Sequence, residues 1–536
     1  MRRRMRSVLV RRLDSTVALR LALGLLALGL LGQAPKPSLG QADALCGRMR
    51  FLTLALLGRL CTCSKYAAIG IIDRKIPGYG STRATVGTVI KHTSNPLLVQ
   101  DTPWEPRIDN GYPNVLRTPT GEWQLFYGTC QHSCATQILL FANSTDGLSW
   151  NKPKLGLFDI GTIRPDLKAI GKANNVLLEG GGIGVTRDES APPSHRYVAF
   201  GPGCYQAPNG GSCMLNLLQG AAARARYYPT QDLAFSADGL TYSDARAIQW
   251  PAPQRYDCHN NLWRDDTEGG GYEWLATTRD GFGQSPGRTI GIARSMGDNL
   301  TFNTSLAPVN TFSGTTDNQL YSQVTFKWAG IYLGIVMVYE ATSMAQRVRC
   351  KLAWSDEATR QRAWQWVDAG GLEGADFIPL GSGGAETFDS HICFAAAVPI
   401  SSGGRELLYY MGGNGPHSGA RNSSLGLATL RADGYAALTA DGPTGHDAGS
   451  VFTVPILCTG PTLLATVDVL PVGGSVQIGC IEDPDVDADK ALPIQTNVTD
   501  APVSFRGGGN FSSLVGKMVI LELRLQRASV YTVGFA

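Results

Sequence analysis

The chain has 536 residues, 43% of them hydrophobic, with 64 Gly, 29 Pro and a formal charge of +3. Residues 1–34 hold seven Arg and one Asp, which leaves 40 basic against 43 acidic groups in the remainder. That balance excludes a phosphate-tracking surface, and nucleic acid with it as a partner. Gly and Pro at this level favour many turns over long helices.

The N-terminus reads as an address. "MRRRMRSVLVRR" is a basic region, "LALGLLALGLLG" (21–32) is an apolar run, and "QA" follows. This is the pattern of a signal peptide or signal anchor over 1–34, shorter than an ordinary membrane span. No other membrane association is expected. Six N-x-S/T sequons, at Asn143, Asn299, Asn303, Asn422, Asn497 and Asn510, agree with a secretory route. Twelve Cys then become disulfide candidates, with Cys130–Cys134 and Cys204–Cys213 placed to pair locally. Residues 35–85 read as a linker.

From residue 86 the chain repeats itself. The strings "STDGLSW" (144–150), "SADGLTY" (236–242), "SMGDNLTF" (295–302), "SDEATRQRAW" (355–364) and "RADGYAAL" (431–438) each follow a short apolar strand, which itself follows a long apolar hairpin. Apolar alternation without a 3.6-residue period makes these antiparallel units of three to four strands. Repeats of more than fifty residues with that content are propeller blades. The Asp-Gly turns are structural in themselves, because Asp caps the turn and Gly supplies positive φ. The expected architecture is all-β, with a five-bladed β-propeller over 86–445 followed by a β-sandwich over 449–536.

In a propeller the innermost strands begin at one end of a central channel, so residues just ahead of them converge. The five stretches are "RIDNGYPNVL" (107–116), "LLEGGGIGV" (177–185), "YDCHNNLW" (256–263), "TTDNQLYSQV" (315–324) and "TFDSHICFAA" (387–396). Four carry an acid there, Asp109, Asp257, Asp317 and Asp389, and the second has Glu179 among glycines. Acids brought together by geometry can supply a general acid and its partner. The competing reading is that Asp and Asn merely cap strand heads. His259, Asn260 and Asn261 offer the hydrogen-bonding groups that sugar hydroxyls require. Tyr112, Asn114, Asp317, Tyr321, Gln323, His391 and His417 complete the expected substrate-binding set. "DCH" at 257–259 lacks a partner at metal-ligand spacing, so no metal and no cofactor is assigned. The glycine run at 180–182 mimics a phosphate loop but lacks the Lys-Ser/Thr and the helix, and crowding between inner strands explains it better. Asp188 of "RDES" reads as a solvated hairpin-turn residue. No set of three Arg is found at strand heads, which counts against a sialidase reading.

The five units, their "SxDGxxW" strings and the terminal stretch "FSSLVGKMVILELRLQRASVYTVGFA" (511–536) resemble the five-bladed furanosidase-type glycoside hydrolases of families 32 and 43 and their poorly characterised relatives. The likeness spans about 90–536. Tyr256, Asp257 and Cys258 resemble the acid/base motif of family 32, with Asp in place of Glu. The resemblance implies Asp257 as proton donor, Asp109 as the opposing carboxylate and Asp389 as the reserve. The chain departs from the families in blade one, where Tyr112 occupies the usual acid position and Asp109 lies three residues earlier. Three residues of extended chain reach up to roughly 10 Å, so a wider carboxylate separation and inversion of configuration are expected. The expected activity is hydrolysis of a fructosyl- or arabinosyl-like furanoside bond in an oligo- or polysaccharide by a secreted enzyme. The alternative is a carbohydrate-binding propeller without catalysis.

Overall fold

Long apolar runs become the middle strands of sheets. Trp123–Gln131 is buried along its whole length, as a strand covered on both faces must be. In the computed structural model, the described residues are 65–72, 79–80, 82–108, 113–131, 136–202, 204–205, 212–213, 230–250, 259–266, 271–280, 287–297, 299–303, 309–310, 314–360, 363–441 and 448–536. They fall in one compact unit, Cys63–Ala536. Among them the only α-helix is the single turn Ala68–Ile71, and the rest is strand, turn and short 3-10 segments.

Among the described residues three antiparallel four-stranded meanders are followed by a nine-stranded sheet, in which a single parallel pairing, Val348 with Ile392, joins two further antiparallel groups. Blade one is Asn114–Arg117, Trp123–Gln131, Thr136–Ser144 and Val176–Glu179. Blade two is Gly184–Arg187, Tyr197–Pro202, Thr230–Ser236 and Tyr242–Gln249. Blade three is Asn261–Asp266, Tyr272–Asp280, Thr289–Arg294 and Val309–Asn310. Blade four is Asn318–Trp328, Ile331–Glu340, Val348–Ser355 and Gln365–Trp366. Blade five is Ile392–Ala395, Arg405–Gly413 and Ser423–Arg431, and its outermost strand, Ile90–Lys91, comes from the N-terminal side of blade one. Pairing of this strand, which precedes blade one, with the last strand of the propeller closes the ring. The inner strands of blades one to four touch in succession, which puts their heads at one end.

Two turn strings fold alike. Ser144 Oγ donates to Asp146 Oδ1 at 2.9 Å, and that oxygen also accepts from the amides of Leu148 and Ser149, each at 2.7 Å. Ser236 and Asp238 repeat the pattern with Leu240 and Thr241 at 2.8 and 2.9 Å. Gly147 and Gly239 have φ of 75° and 77°, a conformation glycine adopts without penalty. The degenerate string in blade five has a different use. Asp433 pairs with Lys65 and accepts from Trp328 Nε1 at 3.2 Å, tying the propeller to the sandwich.

The sandwich is broader than 449–536. One of its sheets runs Arg83–Val86, Ala436–Ala440, Ala528–Phe535, Leu463–Val469 and Val498–Pro502, with Lys65–Ala67 also paired to Ala528–Phe535. The other is Tyr79–Gly80, Ala448–Phe452, Leu521–Gln526 and Ser475–Cys480. Leu463, Val467 and Val530 of the first meet Ile478, Leu523 and Leu525 of the second in one apolar core. The described part of the expected linker 35–85 therefore supplies sandwich strands at Lys65–Ala67, Tyr79–Gly80 and Arg83–Val86, with the helical turn Ala68–Ile71 between the first two, and Ala436–Ala440 leaves blade five for the sandwich. Both corrections have one cause: short polar-flanked strands look like linker until a distant edge pairs with them. The segment 1–34 lies outside the described residues.

A disulfide joins Cys350, in blade four, to Cys393, on the inner strand of blade five. Sequence spacing gave no hint of it, because the 43 residues between the two cysteines form no local loop motif. Cys130 is disulfide-bonded, but Cys134 lies outside the described residues. The backbone register sets Cys204 opposite Cys213. Cys458 and Cys480 are buried thiols of the sandwich.

Candidate functional site at the channel mouth

The inner strands begin at Asn114, Gly184, Asn261, Asn318 and Ile392, where the alignment of hairpins put them. Gly184 shows how tightly the strands meet. A Cβ there would lie 2.0 Å from the Asn260 carbonyl oxygen, and one at Gly181 of the glycine run would run into the Gln137 side chain of blade one, so each of these two glycines answers to crowding against a neighbouring blade.

His259 precedes blade three's inner strand and has a φ of 76°. It is 1% exposed. Its ring meets Tyr321 edge-on at 4.8 Å and Phe394 at 5.7 Å, so residues at the heads of blades three, four and five converge on it. Tyr321 stacks on Phe394 at 5.9 Å and meets the ring of His417 at 4.8 Å. Its hydroxyl lies 2.6 Å from His417 Nε2. His417 comes from the loop between the second and third strands of blade five and also packs on Tyr339. Three expected site residues from blades three, four and five thus form one aromatic–imidazole cluster.

Four arginines surround that cluster. The Arg279 guanidinium sits 4.2 Å over the Tyr321 ring, and that of Arg288 sits 5.3 Å over the same ring. Arg288 also donates to Gln319 Oε1 at 2.6 Å. Arg421 donates to the carbonyls of Pro416, at 3.2 Å, and His417, and Arg107 donates to that of Gly419 at 3.3 Å. Burial and then Arg421, Arg279, Arg288 and Arg107 push the His417 imidazole down to about 3. Burial, followed by Arg279, His417 and Arg288, holds His259 well below its ordinary value. Both imidazoles are neutral at pH 7.

Arg279 and Arg288 do not stand at inner-strand heads: Arg279 is the penultimate residue of the second strand of blade three, and Arg288 directly precedes its third. The two bracket the turn of "TTRDGFGQSPGRT" (277–289). In an antiparallel blade that end is shared with the inner-strand heads, a signal available from the sequence.

Other expected residues have their partners elsewhere. Asn260 accepts at Oδ1 from Gln231 and from Thr278 at 2.8 Å, and donates to the Gly182 carbonyl at 3.0 Å. It clasps blades two and three. Asn261, opposite Thr277 in the ladder, is buried, and its Nδ2 has no partner among the described residues. Gln323 is buried and donates to Thr325 Oγ1 at 3.1 Å. Asn114 is buried beside the Ile183 carbonyl. Asp317 is exposed and accepts from Thr342 at 2.7 Å, so its carboxylate caps a turn. His391 is half-buried, bonded to Ser390 at 2.9 Å, and is held below its ordinary value by burial and Arg347.

Asp389, the reserve acid, is 1% exposed and pairs with Lys91 of blade five's outermost strand at 2.5 Å. Tyr410 donates to the same oxygen at 2.7 Å, and burial together with this carboxylate pushes the Tyr410 hydroxyl far up. Asp389 is thus bound into the body of blade five. Asp188 sits in the expected hairpin turn but is 4% exposed, not solvated. Tyr272 of blade three donates to it at 3.0 Å, and Ser190 bonds to it through both amide and hydroxyl. The neighbouring blade covers the turn, which local sequence does not reveal. Asp109, Tyr112 and Asp257 lie outside the described residues. No group of three or more His, Cys, Asp or Glu is placed to hold a metal among the described residues.

No family model matches the chain, and no curated protein does. Solved structures do. The chain is similar to an exo-β-1,3-galactanase from Phanerochaete chrysosporium, with 11% identity, 84% of this chain and 100% of that one covered, and a TM-score of 0.33. A family 43 arabinoxylan arabinofuranohydrolase from Bacillus subtilis matches at 9% identity, covering 83% and 97% with a TM-score of 0.34. A family 32 β-fructofuranosidase from Bombyx mori matches at 12% identity, covering 82% and 93% with a TM-score of 0.34. The solved structures that the chain is similar to include glycoside hydrolases of families 32 and 43.

Proposed function

We propose that the protein is a glycoside hydrolase that cleaves a furanoside-type bond, fructosyl or arabinosyl, in an oligo- or polysaccharide. The observation that carries this reading is the backbone of His259. A non-glycine residue held at φ 76° costs on the order of 1 kcal/mol and persists where its surroundings over-determine it, as they do at functional sites. His259 lies two residues after Asp257 in the sequence, and its ring belongs to the cluster with Tyr321 and His417.

In this reading Asp257 donates its proton to the glycosidic oxygen as the bond breaks. Asp109 carries the charge on the opposite face of the sugar and activates a water that attacks the anomeric carbon. Its displacement from the usual position favours a separation of roughly 6.5–9.5 Å and inversion of configuration. Asp389 takes no part, because Lys91 and Tyr410 hold its carboxylate. The basic and apolar N-terminal segment supports export.

Kinetics on sucrose and on an aryl arabinofuranoside test the reading. Asp257→Asn keeps the shape and removes the acid, so kcat on sucrose is expected to fall by about 10²–10⁴, with KM little changed. The aryl substrate, with its better leaving group, loses less. Wild-type turnover by Asp257→Asn on both substrates overturns the assignment, and sugar binding without turnover by the unmutated protein makes it a binding module.

A further inference from the structure

The sandwich carries a cavity that the channel mouth does not use. In its second sheet Val476, Ile478, Leu523 and Leu525 belong to the apolar core, so the residues alternating with them face outward. The register sets Ser450, Arg524 and Gln477 in one row across three strands, and Ala448, Gln526 and Ser475 in the next. These six make up most of the lining of an open cavity of about 430 Å³, a volume within the roughly 300–1,000 Å³ of small-molecule sites.

The side chains explain its shape. Long ones, Arg524 and Gln526, stand on the middle strand, and small ones, Ala448, Ser450 and Ser475, flank them. At the other end of the face the segment 487–491 roofs the sheet. A Cβ at Gly479 would lie 2.1 Å from the Ala488 amide nitrogen. Gln477 donates to the carbonyls of Ala488 and Ala491 at 3.3 and 2.8 Å. The cavity is the part of the face that this roof leaves open.

Its charges select the ligand. Arg524 donates to Asp489 at 2.6 Å and to the two oxygens of Glu522 at 3.0 and 2.9 Å. Ser450 donates to Glu522 at 2.7 Å. Two carboxylates on one guanidinium leave an anionic ligand no cation to meet. The Ser475 hydroxyl and the amide of the exposed Gln526 supply neutral donors and acceptors, which suit hydroxyl groups.

We propose that this cavity is a second saccharide site, which holds a neutral segment of a polysaccharide substrate on the sandwich. The proposal takes the class of ligand from the hydrolase reading and goes beyond it by placing a binding site away from the channel. Two sites on one polymer raise its apparent affinity, whereas a small substrate that fills one site gains nothing.

Retention of the full chain on immobilised levan and on immobilised linear arabinan tests it. At least one polymer is expected to hold the protein. Ser475→Tyr, which fills the cavity, and Gln526→Ala, which removes the amide, should each weaken that retention about 5-fold or more. Matched melting temperatures show that the variants fold, and their turnover of sucrose and the aryl arabinofuranoside should equal that of the unmutated chain. Retention that survives raised salt fits a neutral ligand; loss of retention with salt overturns the neutral class. If neither polymer holds the protein, or if either variant is held as strongly as the unmutated chain, the site is disproved. Cavity-dependent retention by a protein that turns over neither small substrate sinks the hydrolase reading alone.

Discussion

The Asp-Gly turns and the channel mouth use the same residue types in opposite ways. Asp146 and Asp238 satisfy their carboxylates with amides two and three residues away, and the two turns agree to within 0.2 Å in every matched contact. Local bonds need no neighbour, so the turn repeats wherever its string repeats. At the mouth the partners lie far along the chain, two of these three in another blade: Asn260 is met by Gln231 of blade two, Tyr321 by His417 of blade five, and Asp389 by Lys91. Repetition of sequence therefore yields repetition of structure at the turns and divergence at the channel. A site built from unlike blades can become specific without disturbing the scaffold.

The contrast is sharpest for buried charge. Lys91→Met leaves the Asp389 carboxylate, 1% exposed, without its cation, and a loss of about 3–5 kcal/mol is expected in denaturant unfolding. Adding Asp389→Asn should recover part of it, since the buried charge is then gone. A loss below about 1 kcal/mol in the single variant makes the pair no more than a surface contact.

A middle-sized effect comes from pH. His417 titrates near 3 in the folded chain against an ordinary 6.5. The unfolded chain therefore takes up the proton first, and stability falls as pH drops from about 6.5 towards 3. At about 1.4 kcal/mol per pH unit, the fall between pH 6.5 and 4.5 is expected to reach about 2–3 kcal/mol. Burial gives His259 the same sign. In His417→Gln, melting temperature should vary less over that window; an unchanged slope would place the acid sensitivity elsewhere.

The smallest effect belongs to the turns. The amides of Ser149 and Leu148, then Ser144, hold the Asp146 carboxyl down to about 2. Stability from this group is complete above its ordinary 3.8 and is lost as pH falls through 2. The carboxylate is exposed and its charge is screened, so Asp146→Ala should cost only about 1 kcal/mol, the scale of a lost cap. Asp238→Ala should cost a similar amount, and the two should add, since their turns share no contact. Strong non-additivity in the double variant would mean that the turns communicate through blade packing.

Much of the fold was legible locally. Alternating apolar strands, Asp-Gly turns and the heads of the inner strands depend on residues within a few positions of one another, so "STDGLSW" and "SADGLTY" carry their own geometry. His259, Tyr321 and His417 could be picked out because each sits beside a strand end, and strand ends were readable. Tertiary structure decided the rest, wherever a residue's partner lies in another blade or sheet. Lys65–Ala67 becomes a strand only because Ala528–Phe535 offers it an edge. Cys350 finds Cys393 through the packing of blade four on blade five. Asp389 looks like a catalytic acid until Lys91 closes the ring over it, and Arg279 looks like a surface charge until Tyr321 lies beneath it. Local hydrogen bonding and periodicity are properties of short segments, whereas burial, pairing and charge balance belong to surfaces that exist only once distant segments meet.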